Sequence, residues 1–186
     1  PVAGQTVLVH GGAGTVGYLA VQLAKWGGAR VIATAGGGAA DRVRDAGADA
    51  VLDYAEPDLA AAILDANKGQ PVDRIVEVEF GVNAATDAAV IAENGRINAY
   101  GSAKAMAPEM PFYPLMFKAV TLEMALVYLL TPPQRAAAID QLHAALSAGA
   151  LRIPVQQTYA LGESAAAHEA VETGGRQGAI LVETAT

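Results

Sequence analysis

Three glycines at fixed spacing are the first residues in this chain whose types point to chemistry. Gly12, Gly14 and Gly17 lie in the run His10-Gly-Gly-Ala-Gly-Thr-Val-Gly17, between a β-branched apolar stretch and a stretch of helical periodicity. Between a strand and a helix, the first glycine permits a tight turn, the second lets backbone approach a diphosphate, and the third lets helix and strand pack closely. The helix N-terminus, with unpaired amides and the positive end of its dipole, can then take an anion without a basic side chain. Glycine turns also occur merely to reverse a chain. The flanking elements therefore carry the reading, which is a dinucleotide site.

The residues after the second predicted strand bear on which dinucleotide. A carboxylate there bonds the ribose 2′-hydroxyl and repels a 2′-phosphate. This chain has Ala35-Gly36 instead, with no acid between Thr34 and Ala40. The expected cofactor is NADP(H) in preference to NAD(H). Arg42 and Arg44, in the first turns of the next helix, could reach a 2′-phosphate, and could equally be solvated surface arginines. Tyr54 could stack on or bond the adenosine end, or be an ordinary tyrosine at a strand end.

These residues need elements to position them, and the apolar periodicity supplies a regular alternation. Strands are predicted over 6–10, 30–35, 50–53, 73–78 and 96–100, with helices over 16–25, 39–46, 59–67 and 83–91 between them. Such alternation implies parallel strands covered on both faces. Pro108, Pro111 and Pro114 then argue for a loop, followed by a sixth strand over 119–127 and a helix over 132–148 ended by Gly149. The expected fold is a doubly wound α/β sheet of six parallel strands, a Rossmann fold, with a short C-terminal α/β tail of strand 155–160, helix 163–173 and strand 179–183. Residues 1–150 are assigned to the NAD(P)-binding domain and 151–186 to a segment of a catalytic domain.

Other candidate chemistry is weaker. Tyr100 and Lys104 spell Y-x-x-x-K, but the tyrosine ends a strand, so the pair is not expected on one helical face. His10, His143 and His168 are scattered and joined by no carboxylate pair at ligand spacing, so no metal is expected. His10 reads as a hydrogen-bonded structural histidine, and Glu77 and Glu79 alternate along a strand rather than forming an acid/base dyad. No catalytic residue is assigned.

Composition bounds the rest. With 186 residues, 53% hydrophobic and 17% charged, one well-buried core is expected. A net charge of -7 argues against nucleic acid or anionic lipid as partners. The apolar stretch 115–130 is interrupted by Lys118 and Glu123, so no membrane span is expected, and Pro1-Val-Ala-Gly-Gln5 does not read as a signal peptide. The absence of cysteine removes disulfides and thiolate zinc ligands, and points to the cytoplasm.

The string 6–17 resembles the start of the cofactor domain in medium-chain quinone oxidoreductases, the zeta-crystallin branch. So do Val31-Ile-Ala-Thr-Ala-Gly36, Gly95-Arg-Ile97 before Gly101-Ser102, and the tail from Tyr159-Ala-Leu161 to Gly178. The resemblance implies zinc-independent hydride transfer from NADPH to a small quinone, enone or similar carbonyl electrophile, in a cleft shared with an N-terminal catalytic domain. It implies that Gly14, Thr15, Val16 and Gly17 meet the pyrophosphate and that Ala35, Gly36 and Arg42 surround the adenosine ribose. It further places Glu79 and Phe80 by the nicotinamide ribose, Gly101 and Ser102 in the crevice, and Leu126 and Val127 near the nicotinamide. Ala40 and Ala179 stand where relatives often carry lysine, which weakens the NADP assignment. The resemblance also implies a homodimer through the edge strand 119–127. The competing expectation is a non-catalytic nucleotide-binding or assembly module on the same fold.

Overall fold

The computed structural model of the chain describes residues 1–184. Its order begins β1 (Thr6–Val9), α1 (Thr15–Trp26), β2 (Arg30–Ala35), α2 (Ala40–Asp45), β3 (Ala50–Asp53) and α3 (Leu59–Ala66). It continues with β4 (Val72–Glu77), α4 (Phe80–Val90), β5 (Ile91–Ala99), α5 (Phe112–Phe117), β6 (Thr121–Met124) and α6 (Pro132–Ser147). The tail adds β7 (Val155–Ala160), α7 (Ser164–Glu172) and β8 (Ala179–Glu183). Six strands form one parallel sheet in the order β3-β2-β1-β4-β5-β6, and β7 pairs with β8 in a second parallel sheet. The expected Rossmann architecture is what the chain adopts.

The alternation of side chains along each strand builds the two layers. Val7, Val9, Val31 and Ala33 point to one face, where Tyr18 and Val21 of α1 and Val43 of α2 bury them. Leu8, Ile32, Ile75 and Ile97 point to the other, under Ile63 of α3 and Ala88 of α4. Because both faces are covered, these strands read as continuous apolar runs. Parallel pairing puts every strand's C-terminal end on one edge, with Ala35 level with Asp53 and Glu77 level with Ala99. No helix among the described residues is long and apolar enough to cross a membrane.

Three local expectations are corrected. The proline-rich loop contains a helix, α5, because Pro111 is its N-cap and Pro114 lies in its first turn, where a missing amide costs nothing. The sixth strand covers only Thr121–Met124, since Ala119 turns through φ 50° before it and a 3-10 turn over Val127–Leu129 follows. The strand expected at 96 starts at Ile91 directly after α4, with an irregular register opposite Val72 and Arg74. Lys118, which broke the apolar stretch, donates to the carbonyls of Ala88, Ala89 and Ile91 at 2.7–3.0 Å and so closes the C-terminus of α4.

The tail docks onto α1 and α2 through polar contacts. The Gln22 side-chain amide accepts from the Arg152 amide at 2.8 Å and donates to the Arg152 carbonyl at 3.1 Å, and the Arg152 side chain also reaches the Asp45 carbonyl at 3.0 Å. Ala145 is the one buried residue of α6, and Ile139, Leu142 and Leu146 on that helix are exposed. Core and periphery should therefore respond differently to truncation. Ile97→Ala, at a fully buried site, should cost about 2–5 kcal/mol. Leu181→Ala, in the 43% exposed tail position, should cost under about 1 kcal/mol. Urea unfolding with an unchanged m-value would check both.

Candidate functional site

The glycine turn sits where β1 meets α1, at the C-terminal edge of the sheet. The reversal is made by Gly11, whose φ is 66°, and not by Gly12. Gly12 is needed for space, since a Cβ there would lie 3.0 Å from both Ala33 Cβ and Val43 Cγ1. At Gly17 a Cβ would lie 2.2 Å from the Gly11 carbonyl oxygen, so α1 packs directly on the turn, as expected. Gly14 is different: its Cβ would meet only the Gly11 oxygen, at 3.3 Å, and otherwise face open space. It is also the N-cap of α1, with no side-chain cap and no acid in the first turn. The α1 amides thus open onto the crevice in a position that suits an anion.

The crevice, about 470 Å³, gathers Gly14, Thr15, Val16, Gly17, Ala35, Gly36 and Tyr54 of the expected set, together with Val78, Tyr100 and Arg176. The Tyr54 ring lies so close over Gly36 that a Cβ there would be 2.4 Å from Cζ. An adjoining cavity of about 860 Å³ is lined by Gly14, Gly36, Arg42 and Arg176 among others. Arg42 is not a solvated helix arginine. Its guanidinium stacks 4.6 Å from the centre of the Tyr18 ring and donates to the Gln177 carbonyl, and its Nε is buried without a partner among the described residues. Arg44 is instead paired with Asp41 at 2.6 Å on the surface.

Arg176 was missed in the sequence because no periodicity brings a tail residue back to Gly36. The available signal was a single cation beside Gly174-Gly175, a pair with φ of 76° and 64° that shapes a tight loop.

The remaining expected residues form a second group further along the same edge. The amide of Phe80 donates to the Gly101 carbonyl at 3.0 Å, the Gly81 amide to Ser102 Oγ at 2.9 Å, and the Lys104 amide to Glu79 Oε1 at 2.8 Å. The Phe80 ring is buried against Ala84 and Ala99, so its backbone alone borders the edge. Leu126 and Val127 follow β6 and are exposed. Val78 links the two groups: it lines the crevice, and its carbonyl would touch a Cβ on Gly101 at 2.4 Å. Tyr100 also lines the crevice. Its hydroxyl is pushed up to about 12 by burial and by the nearby Glu77 charge. Lys104 lies outside any helix, so the Y-x-x-x-K pair shares no helical face.

The fold joins groups that the sequence kept apart. His10 Nε2 lies 3.0 Å from Asp87 Oδ1 and 3.6 Å from Glu77 Oε2, and all three residues are buried. His10 is the hydrogen-bonded histidine expected, with Thr34 Oγ1 3.2 Å from Nδ1. Its carboxylate partners were not foreseen, because Asp87 arrives on α4 and neither acid stands at ligand spacing from a histidine. The signal was a single aspartate on the core-facing side of a helix whose other buried residues are Phe80, Ala84, Ala88 and Val90.

The family described as zinc-binding dehydrogenase matches residues 15–144. Quinone oxidoreductase from Sus scrofa is 29% identical over 168 residues, covering 90% of this chain and 50% of that protein. A mycobacterial quinone oxidoreductase structure superposes with a TM-score of 0.87 at 28% identity, over 98% of this chain and 58% of the other. A mycobacterial structure complexed with NADPH gives 0.81 at 27% identity, over 97% and 58%. The chain thus spans about half the length of these relatives.

The close seat of α1 on the turn can be tested directly. Gly17→Ala should destabilise the fold by about 1–3 kcal/mol, because the added methyl meets backbone. A urea midpoint unchanged from that of the parent chain would contradict the packing described.

Proposed function

Given that this chain belongs to the zinc-binding dehydrogenase family, as the cofactor-binding domain of its quinone-oxidoreductase branch, we propose that it holds NADP(H) for reduction of a small quinone or enone. Residues 1–150 are the nucleotide-binding domain in this reading, and residues 151–186 belong to the catalytic domain. One observation carries it: the uncapped N-terminus of α1 opens, through Gly14, onto a crevice whose β2 side is the acid-free pair Ala35-Gly36. That arrangement suits a diphosphate and does not repel a 2′-phosphate. The NADPH-bound mycobacterial neighbour supports the same assignment.

The residues divide the work along the edge. Gly14, Thr15, Val16 and Gly17 receive the diphosphate on backbone amides, and Gly12 gives the turn its room. Tyr54 and the Ala35-Gly36 backbone border the adenosine ribose. Arg176 meets the 2′-phosphate, backed by Arg42, and together they serve in place of the lysines absent at Ala40 and Ala179. Glu79, Phe80 backbone, Gly101, Ser102, Leu126 and Val127 flank the nicotinamide end. The bound nucleotide would supply the hydride. Zinc-independent reduction in the cytoplasm belongs to the same proposal, in which this cysteine-free chain offers zinc no thiolate ligand.

Association through β6 belongs to the same proposal. β6 is one of the two edge strands of the sheet, and Met124 at its end and Leu126, Val127, Tyr128 and Leu129 after it are exposed. An apolar edge of that kind is suited to pairing with a second copy. Light scattering at micromolar concentration should give a dimer, and a monomer would contradict the pairing.

Isothermal titration tests the nucleotide site. NADPH should bind more tightly than NADH. Gly14→Ala should weaken both nucleotides, because the methyl projects toward the diphosphate position. Arg176→Ala should weaken NADPH by about tenfold or more, through loss of a charge-assisted bond, and spare NADH. Binding of neither nucleotide would defeat the proposal, and equal losses for both in Arg176→Ala would remove that residue from the 2′-phosphate.

A further inference from the structure

Beneath the glycine turn lies a group of ionisable side chains that the nucleotide reading leaves unused. His10, Glu77 and Asp87 are each 0–1% exposed, although they come from just past β1, from the end of β4 and from α4. The imidazole bonds Asp87 Oδ1 at 3.0 Å and lies 3.6 Å from Glu77 Oε2. Asp87 Oδ2 is buried with no hydrogen-bond partner among the described residues. Within those residues, neither carboxylate has a lysine or arginine at ion-pair distance.

Charge accounting then fixes the protons. One imidazolium neutralises one buried carboxylate, and a second carboxylate left ionised would be an uncompensated charge in a low-dielectric interior. The second acid is therefore biased toward its protonated form. Asp87 makes the shorter contact with His10, which leaves the proton on Glu77. The directions agree: burial, opposed by the His10 charge and aided by that of Asp87, lifts the Glu77 carboxyl from 4.5 to about 7. Burial alone would lower His10, but the hydrogen bond and charge of Asp87, with Glu77, raise it overall.

This cluster is wired to the turn. The Gly11 amide donates to Thr34 Oγ1 at 3.2 Å, and the same hydroxyl contacts His10 Nδ1. Glu77 accepts from the Glu79 amide and, at 3.1 Å, from Asn83 Nδ2 at the start of α4. Tyr100, just past the end of β5, lies close enough to feel the Glu77 charge.

We propose that His10, Glu77 and Asp87 are positioning residues of the nucleotide site that share a titratable proton beneath the glycine turn, so that binding of an anionic dinucleotide draws a proton onto Glu77. The inference rests on the nucleotide-binding reading above. An anion placed at the turn disfavours a second negative charge below it and so raises the Glu77 carboxyl further. At and above neutral pH, binding therefore takes up protons, and affinity falls as pH rises, by at most about tenfold per pH unit for one linked proton. In the nucleotide-free chain the sign is the same. Because the folded carboxyl titrates near 7 and the unfolded one near 4.5, the folded state binds more protons between those values, and stability falls as pH rises through that window.

The test is titration of the full chain with NADPH at about pH 7.5 in buffers of different ionisation enthalpy, which counts protons exchanged on binding. Wild type should take up more protons than Glu77→Gln. The 2′-phosphate's own titration is common to both and cancels in the difference. Asp87→Asn should also reduce the uptake, because it removes the charge that helps keep Glu77 protonated. Without nucleotide, the urea midpoint of wild type should fall between about pH 5 and about pH 7 by more than that of Glu77→Gln. Tight NADPH binding with equal proton counts in wild type and both variants would overturn the proposal and leave the nucleotide reading standing. Absence of binding would overturn both. A rise in wild-type thermal stability with micromolar Zn²⁺ that Asp87→Asn abolishes would also overturn it, since a cation would then take the place of the shared proton.

Discussion

The contact on which the crevice depends is between the α-carbon of Gly17 and the carbonyl of Gly11. No side chain intervenes there, and a methyl group would lie 2.2 Å from the oxygen. The helix can consequently begin immediately over the end of β1, and its first amides face the C-terminal edge of the sheet. A helix lifted off the turn would still cover the sheet, because Tyr18 and Val21 would remain on its inner side. Its N-terminus would no longer converge with Gly36 and Tyr54. One missing carbon thus connects close packing to anion geometry, and the positive φ at Gly11 completes the arrangement.

Parallel pairing supplies the other half of the constraint. All six strands end on one edge, so residues separated by dozens of positions share it without special contacts. This explains why Ala35, Tyr54, Val78 and Tyr100 meet at a single crevice while each merely terminates or follows its own strand. It also explains why the buried triad forms. His10 and Glu77 are equivalent in position, at or just past the ends of neighbouring strands β1 and β4, and Asp87 needs only two turns of α4 to descend onto them.

Much of this was legible because it is periodic. Val7-Leu8-Val9 and Val31-Ile32-Ala33 announce strands buried on both faces, and the glycine spacing announces the turn between them. What was illegible depended on backbone detail or on distance along the chain. The assignment of the turn to Gly12 failed because G-x-G-x-x-G does not say which glycine takes positive φ. The helix α5 was hidden by its prolines, which forbid helix interiors but are harmless in a first turn. The Asp87 contact was invisible because an aspartate in an apolar helix has no partner until the fold supplies one.

Arg176 shows the same limit from the functional side. The tail was expected to be an appendage, and its strands β7 and β8 do pair only with each other. Yet Gln22, Asp45 and Arg42 bind it at three places, and at two of them the bonds go to tail backbone groups: the Arg152 amide and carbonyl at Gln22, and the Gln177 carbonyl at Arg42. At Asp45 the roles reverse, with the Arg152 side chain reaching the α2 carbonyl. None of these anchors uses the side chain at position 176, which can therefore vary without undocking the segment. A cation there can thus be gained or lost independently of the fold, and charge at the crevice proposed for the nucleotide is set by a residue that contributes little to holding the domain together.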